Sequence, residues 1–210
     1  MINPPIQLIF ESCVETLADA LAAEKSGANR IELCSALDQD GLSPSPELTI
    51  QCVHHLSIPV MAMVRPRGGD FIYSEEEISK MELEIDFFKE AGVAGVVFGL
   101  LTKENKIDLK NIRRLAKRAA PLDVTFHKAI DSVADVLNSF QEINEIEEIS
   151  RVLTSGGEDT AWNGRMTIKA MNELPERRIK IIAAGKIFPE TRNKIAEFTG
   201  VSELHGKRIV

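Results

Sequence analysis

Glu11-Ser12-Cys13 and Glu32-Leu33-Cys34 are matching triplets, each with a carboxylate and a thiol two residues apart. Side chains alternate between the faces of an extended strand, so each triplet would point both of its groups the same way. On neighbouring strands the triplets would gather two carboxylates and two thiols. Cys13 could instead fall in a first helical turn and pack as a small hydrophobe. Further along, Arg65-Pro66-Arg67-Gly68-Gly69-Asp70-Phe71 combines two forked donors with glycines that would let backbone amides approach a carboxylate or phosphate closely. The competing reading is a tight turn whose arginines pair with nearby acids. His127 is the residue type that exchanges protons near neutral pH, and with Glu11 and Glu32 it would make an acid–base set. Thr154-Ser155-Gly156-Gly157, Gly185-Lys186 and His205-Gly206-Lys207 have the small, polar and basic character of loops that hold phosphate.

These groups can act together only if the chain brings them together, and the periodicity of its apolar residues says how. Short apolar runs at 6–10, 30–34, 60–64, 95–99, 123–127, 149–153, 179–184 and 201–205 read as strands, and each interval between them carries helical spacing. Ser12-x-x-Glu15 and Ser74-Glu75-Glu76-Glu77 read as capping boxes, Ser45-Pro46 as a cap and first helical residue, and Asp108 and Asp131 as caps. Val14, Leu17, Ala18 and Leu21 would form the apolar face of the first helix. Ile78, Met81, Ile85 and Phe88 would form that of the third.

Eight such repeats close most readily as a parallel barrel. We therefore expect an α/β protein with a TIM (β/α)8-type barrel, one domain over residues 1–210. The rival architecture is an open doubly wound sheet. Only five residues follow His205, so the last helix is expected to be lacking, and the barrel would stay open there or be covered by the partner in a homodimer. Active sites of such barrels gather where strands end, and the expected ends are Glu11, Glu32, Arg65, Gly99, His127, Thr154, Gly185 and His205.

Composition narrows the classes. With 44 % hydrophobic residues among 210, the chain can bury a continuous core. Its longest apolar runs are too short to span a bilayer, and Met1-Ile2-Asn3-Pro4-Pro5 lacks the charged start of a leader. Against 32 acidic residues stand 25 Lys and Arg, a net charge of −7 that opposes nucleic-acid or acidic-membrane binding. Three cysteines, an odd number, do not make a disulfide framework and suit a reducing cytoplasm. There is no P-loop, no complete Gly-x-Gly-x-x-Gly and no Cys-x-x-Cys.

Taken together, Glu11-x-Cys13, Arg30-Ile31-Glu32-Leu33-Cys34, the Arg65–Phe71 block, Thr125-Phe126-His127-Lys128-Ala129, Arg151-Val152-Leu153-Thr154-Ser155-Gly156 and Glu203-Leu204-His205 resemble the CutC copper homeostasis protein family. The match runs in order along almost the whole chain, one block per strand, and the Arg-Pro-Arg-Gly-Gly-Asp-Phe block is specific by itself. The resemblance implies a cytoplasmic TIM barrel linked to copper tolerance, with Cu(I) bound by cysteines at the positions of Cys13 and Cys34, and no firmly assigned reaction. Soft thiolates do select Cu(I). They must first lose a proton, which Arg65 or Arg67 would assist and Glu11 and Glu32 would oppose.

The chain departs from the family where it reads His127-Lys128-Ala129-Ile130-Asp131 in place of His-Arg-Ala-Phe-Asp. It also has a reduced glycine turn at Ala184-Gly185-Lys186 and a short end after His205. The alternative expectation is an enzyme acting on a small anionic or phosphorylated metabolite. There Glu11, Glu32 and His127 would do acid–base chemistry, and Arg65, Arg67, Asp70, Thr154, Ser155, Gly156, Gly185 and His205 would hold the anion. A buried ring in which carboxylates and arginines merely neutralise one another is the structural reading of the same residues.

Overall fold

The computed structural model describes residues 7–210. Its strands are β1 (Ile9–Val14), β2 (Arg30–Leu33), β3 (Val60–Met63), β4 (Gly95–Phe98), β5 (Asp123–Phe126), β6 (Arg151–Thr154), β7 (Lys180–Ala183) and β8 (Glu203–Gly206). They pair in sequence order, all parallel, and β8 returns to β1 to close the barrel. The open sheet is thereby excluded. Between the strands run α1 (Leu17–Lys25), α2 (Pro46–His55), α3 (Glu75–Ala91), α4 (Leu109–Ala119), α5 (Val136–Asn144), α6 (Arg165–Asn172) and α7 (Pro189–Thr199).

Two apolar layers hold the barrel. Outward strand residues such as Ala62, Val96, Phe98, Val124, Phe126 and Val152 pack beneath the helices, where Ile78, Met81, Ile85 and Phe88 of α3 are all buried. Burial of each large apolar side chain stabilises the fold by about 1.5–3 kcal/mol. The capping box at Ser74 and Glu77 is formed, with both reciprocal bonds present. Inward residues fill the lumen in layers, as such barrels require. Pairing and alternation put Glu11, Met61, Thr125 and Ile182 in one layer and Glu32, Val97, Leu153 and His205 in the next.

The first strand corrects the sequence reading. Its pairing with β2 continues through Val14, opposite Leu33, so Ser12 lies within the strand and caps nothing. The expected start at residue 6 lies outside the described residues. Thr16 is the true cap, accepting from the Asp19 amide at 3.1 Å, and the Glu15 carboxylate accepts from the Leu37 amide at 2.8 Å instead. Ladder hydrogen bonds outcompeted a local cap, and Cys13 therefore sits on a strand. The face of α1 shifts with it: Ala20 and Ala23 are buried, whereas Leu21 is 39 % exposed.

Asp131 is a second correction. It lies in a 3₁₀ turn, Lys128–Ser132, and Asp135 caps α5 by accepting from the Asn138 amide at 3.0 Å. Among the described residues no helix follows β8. The chain folds back instead, burying Ile209 completely and offering its carbonyl to Arg192 Nη1 at 2.6 Å. Val210 packs onto the main core and onto the cluster beneath α1.

Candidate metal centre at the barrel mouth

Val14, Ile31 and Leu33 belong to the core beneath the helices, so alternation sends Glu11 and Cys13 of β1, Glu32 of β2 and Cys34 just beyond it into the lumen. Register then sets neighbours: Cys13 lies opposite Glu32, and Glu11 opposite both Arg30 and His205. The two thiols meet at an Sγ–Sγ distance of 3.4 Å, and Cys13 Sγ donates to Glu32 Oε1 at 3.3 Å. His205 Nδ1 is 2.8 Å from Glu11 Oε1, and its Nε2 is 3.9 Å from Glu32 Oε1. One donor atom each from Cys13, Glu32 and His205 falls within 4.8 Å of the other two. Met61, Met63, Val97 and Leu37 pack around the thiols.

Below this group lies a buried ion cluster. Arg30 Nε donates to Glu11 Oε2 and its Nη2 to Glu203 Oε2 at 2.6 Å, while Arg151 reaches Glu203 at 3.1 Å and Asp123 at 2.7 Å. The cluster divides the two carboxylates electrostatically. Burial would raise the pKa of Glu11, but Arg30 and the bond from His205 outweigh it and hold the carboxyl at about 2. Burial raises Glu32, and the Glu11 charge adds to that against the pull of His205. Burial would lower His205, yet the two carboxylates raise it. The hydrogen bond with Cys34, burial and the Glu32 charge push the Cys13 thiol well up. Among the atoms of this thiol, carboxylate and imidazole group, Glu32 Oε2 is buried without a hydrogen-bond partner.

The other expected residues form separate arrangements. Arg65 is buried and donates to the carbonyls of Gln39, Gly41 and Gly69 at 2.9, 3.1 and 3.1 Å, with its guanidinium over the Phe71 ring. Arg67 pairs with Glu77 at 2.6 Å and Asp70 at 2.9 Å. Arg67 thus braces the turn to α3, whereas Arg65 is held by backbone carbonyls rather than by an acid. His127 packs on Phe71 with ring centroids 4.8 Å apart and accepts the Ala129 amide on Nδ1 at 3.2 Å. Burial and the charge of Arg65 depress its pKa to about 3, so its ring is neutral. Gly99 makes room for it, since a Cβ there would stand 2.5 Å from His127 Nδ1.

The loop after β6 is an anion nest that already holds an anion, the carboxylate of Asp131. The amides of Ser155 and Gly157 donate to it at 2.9 and 2.9 Å, Thr154 Oγ1 at 2.5 Å, Ser155 Oγ at 2.9 Å and Lys128 Nζ at 2.6 Å. Gly156 is required by this turn: its φ is +73°, and a Cβ would meet the Gly164 carbonyl at 2.4 Å. Gly185 packs its backbone against the same loop and accepts from the Ala161 amide at 2.9 Å.

Sequence reasoning overlooked Arg30, Glu203 and Asp131. Their trace was available, as charged residues at period two inside apolar strands and an acid four residues after His127.

The closed parallel barrel defines a (β/α)8-type protein in which thiols, carboxylates and an imidazole, the ligand types of soft and borderline metals, converge at one mouth. Comparison with known proteins narrows this further. The model of the CutC family matches residues 8–210, and the chain belongs to that family. The human copper homeostasis protein cutC homolog is 39 % identical over 197 residues, spanning 94 % of this chain and 72 % of the human protein. The family protein CutC of Treponema denticola is 40 % identical over 196 residues, 93 % of this chain and 79 % of its own length. A crystal structure of CutC from Streptococcus agalactiae superimposes with a TM-score of 0.91 at 32 % identity, covering 97 % of this chain and all of that one. No helix among the described residues is long and apolar enough to cross a membrane.

Proposed function

We propose that this chain serves copper homeostasis by holding Cu(I) as cargo between the thiolates of Cys13 and Cys34. The observation that carries the reading is the pair of buried Sγ atoms 3.4 Å apart on adjacent strands, in a chain whose relatives are named for copper homeostasis. Thiolates are the soft donors that select Cu(I). The low-dielectric, methionine-lined surroundings keep water and harder ions at a disadvantage. Binding displaces thiol protons, which the raised pKa of Cys13 makes the cost of entry, so affinity rises with pH. Free thiols suit a reducing compartment, and we place the protein in the cytoplasm. Under anaerobic competition against a chromophoric Cu(I) chelator, the parent is expected to retain the ion and a Cys13→Ser, Cys34→Ser double variant to release it. Equal retention by both would overturn the assignment.

A second reading, acid–base catalysis on a small anionic metabolite, draws on the opposite displacement of Glu11 and Glu32, the pattern by which paired carboxylates divide acid and base roles. It has weak support on the substrate side. Arg65 and Arg67 are engaged by internal acceptors, and the Thr154–Gly157 loop is filled by Asp131.

A further inference from the structure

The thiol pair is not alone at the mouth, and the spacing of its neighbours carries information about the ion they fit. Metal–ligand bonds of about 2.0–2.3 Å to nitrogen, oxygen and sulfur, arranged tetrahedrally, put the donor atoms about 3.3–3.8 Å apart. The separations found are 3.4 Å between Cys13 Sγ and Cys34 Sγ, 3.3 Å between Cys13 Sγ and Glu32 Oε1, and 3.9 Å between Glu32 Oε1 and His205 Nε2. Cys13, Glu32 and His205 thus stand together at the spacing of a three-donor metal site, with Cys34 beside Cys13 but outside that group.

Two independent features point the same way. Glu32 Oε2 is buried without a hydrogen-bond partner, a state that native proteins rarely tolerate without an ion or water to satisfy it. His205 is oriented as metal-binding histidines are. Its Nδ1 faces Glu11 Oε1 at 2.8 Å, and Glu11 Oε2 is pinned in turn by Arg30. A carboxylate on one ring nitrogen fixes the tautomer and leaves the lone pair of the other, here Nε2, aimed at Glu32 and Cys13.

We propose that Cys13, His205 through Nε2 and Glu32 form a three-donor site for a divalent borderline cation of the Zn(II) type, its fourth position left to solvent, with Glu11 as the positioning residue for the imidazole. This rests on the Cys13 thiol of the Cu(I) reading and extends it to a second class of ion: Cu(I) needs both sulfurs, whereas Zn(II) needs one sulfur with the nitrogen and oxygen donors. The Cys13 thiol proton leaves to solvent as the divalent ion enters, together with any proton on His205 Nε2 or on the Glu32 carboxyl.

The test uses Co(II) as the spectroscopic probe and Zn(II) as its competitor on the full chain, kept anaerobic. The parent is expected to develop the intense visible bands of tetrahedral Co(II) with a thiolate charge-transfer band, both erased by Zn(II). His205→Asn and Glu32→Gln should each weaken Co(II) binding at least about tenfold, and Glu11→Gln by about 10- to 100-fold, the range found when a partner behind a metal-binding histidine is removed. Cu(I) retention should stay within about twofold of the parent in His205→Asn, and near-ultraviolet circular dichroism checks that each variant is folded. A parent that holds Cu(I) but shows no tetrahedral Co(II) spectrum overturns this inference and leaves the copper reading standing. Co(II) bands unchanged in the His205 and Glu32 variants overturn the ligand assignment. Loss of Cu(I) by the parent itself overturns the copper reading, and Co(II) bands that persist there carry the three-donor site alone.

Discussion

Arg30 shows how a single residue can serve both stability and the mouth above it. Arg30 is 6 % exposed, and its guanidinium joins Glu11 to Glu203. Removing one member of a buried ion cluster leaves the others charged without compensation, at a cost of about 3–5 kcal/mol. Arg30→Ala is therefore expected to lower the urea-unfolding free energy by that amount, and to free the carboxylate on which His205 is oriented. A loss below about 1 kcal/mol would mean that water, rather than Arg30, compensates Glu11 and Glu203.

At the scale of elements, the loop after β6 depends on one acid. Burial would raise the pKa of Asp131, but Lys128, Thr154 and the Ser155 amide together lower it below its ordinary 3.8. A group whose folded pKa is depressed adds stability above its unfolded pKa and loses it as pH falls through the folded value. The contribution of Asp131 is thus complete at neutral pH and fades below about pH 4. Asp131→Asn is expected to cost about 1.5–3 kcal/mol at pH 7, and the gap between parent and variant should narrow as urea titrations are repeated down to pH 3. A gap that stays constant with pH would show that the loss is one of shape, not of charge. Local sequence missed this role because an aspartate a few residues after a strand also makes a good helix cap. Only the return of β6 beside the 3₁₀ turn puts five donors around it.

The whole molecule depends on closure. β8 pairs with both β1 and β7, and it carries Glu203 into the ion cluster and His205 into the mouth. A chain ending before Glu203 would leave two unpaired strand edges and two carboxylate–arginine contacts undone. We expect such a truncation to lose the single cooperative unfolding transition of the parent, read by near-ultraviolet circular dichroism. A truncated chain that still unfolded cooperatively would place the stability of the fold in β1–β7 alone.

What sequence alone determined here follows from periodicity and local chemistry. Eight strand–helix repeats announce a barrel, Ser74 and Glu77 announce the start of α3, and two Glu-x-Cys triplets announce that thiols and carboxylates share a face. The conspicuous Arg65–Phe71 block was legible as a forked-donor loop, yet its partners Glu77 and Asp70 are found only when the turn is folded onto α3. Tertiary structure alone decided that β1 runs on to Val14, that Asp131 fills the nest, and that His205, 194 residues from Glu11, becomes its neighbour. Spacing along a chain specifies which face a side chain takes, but the closing register between the first and last strands is settled by packing across the whole barrel, and the mouth exists only once that register is set.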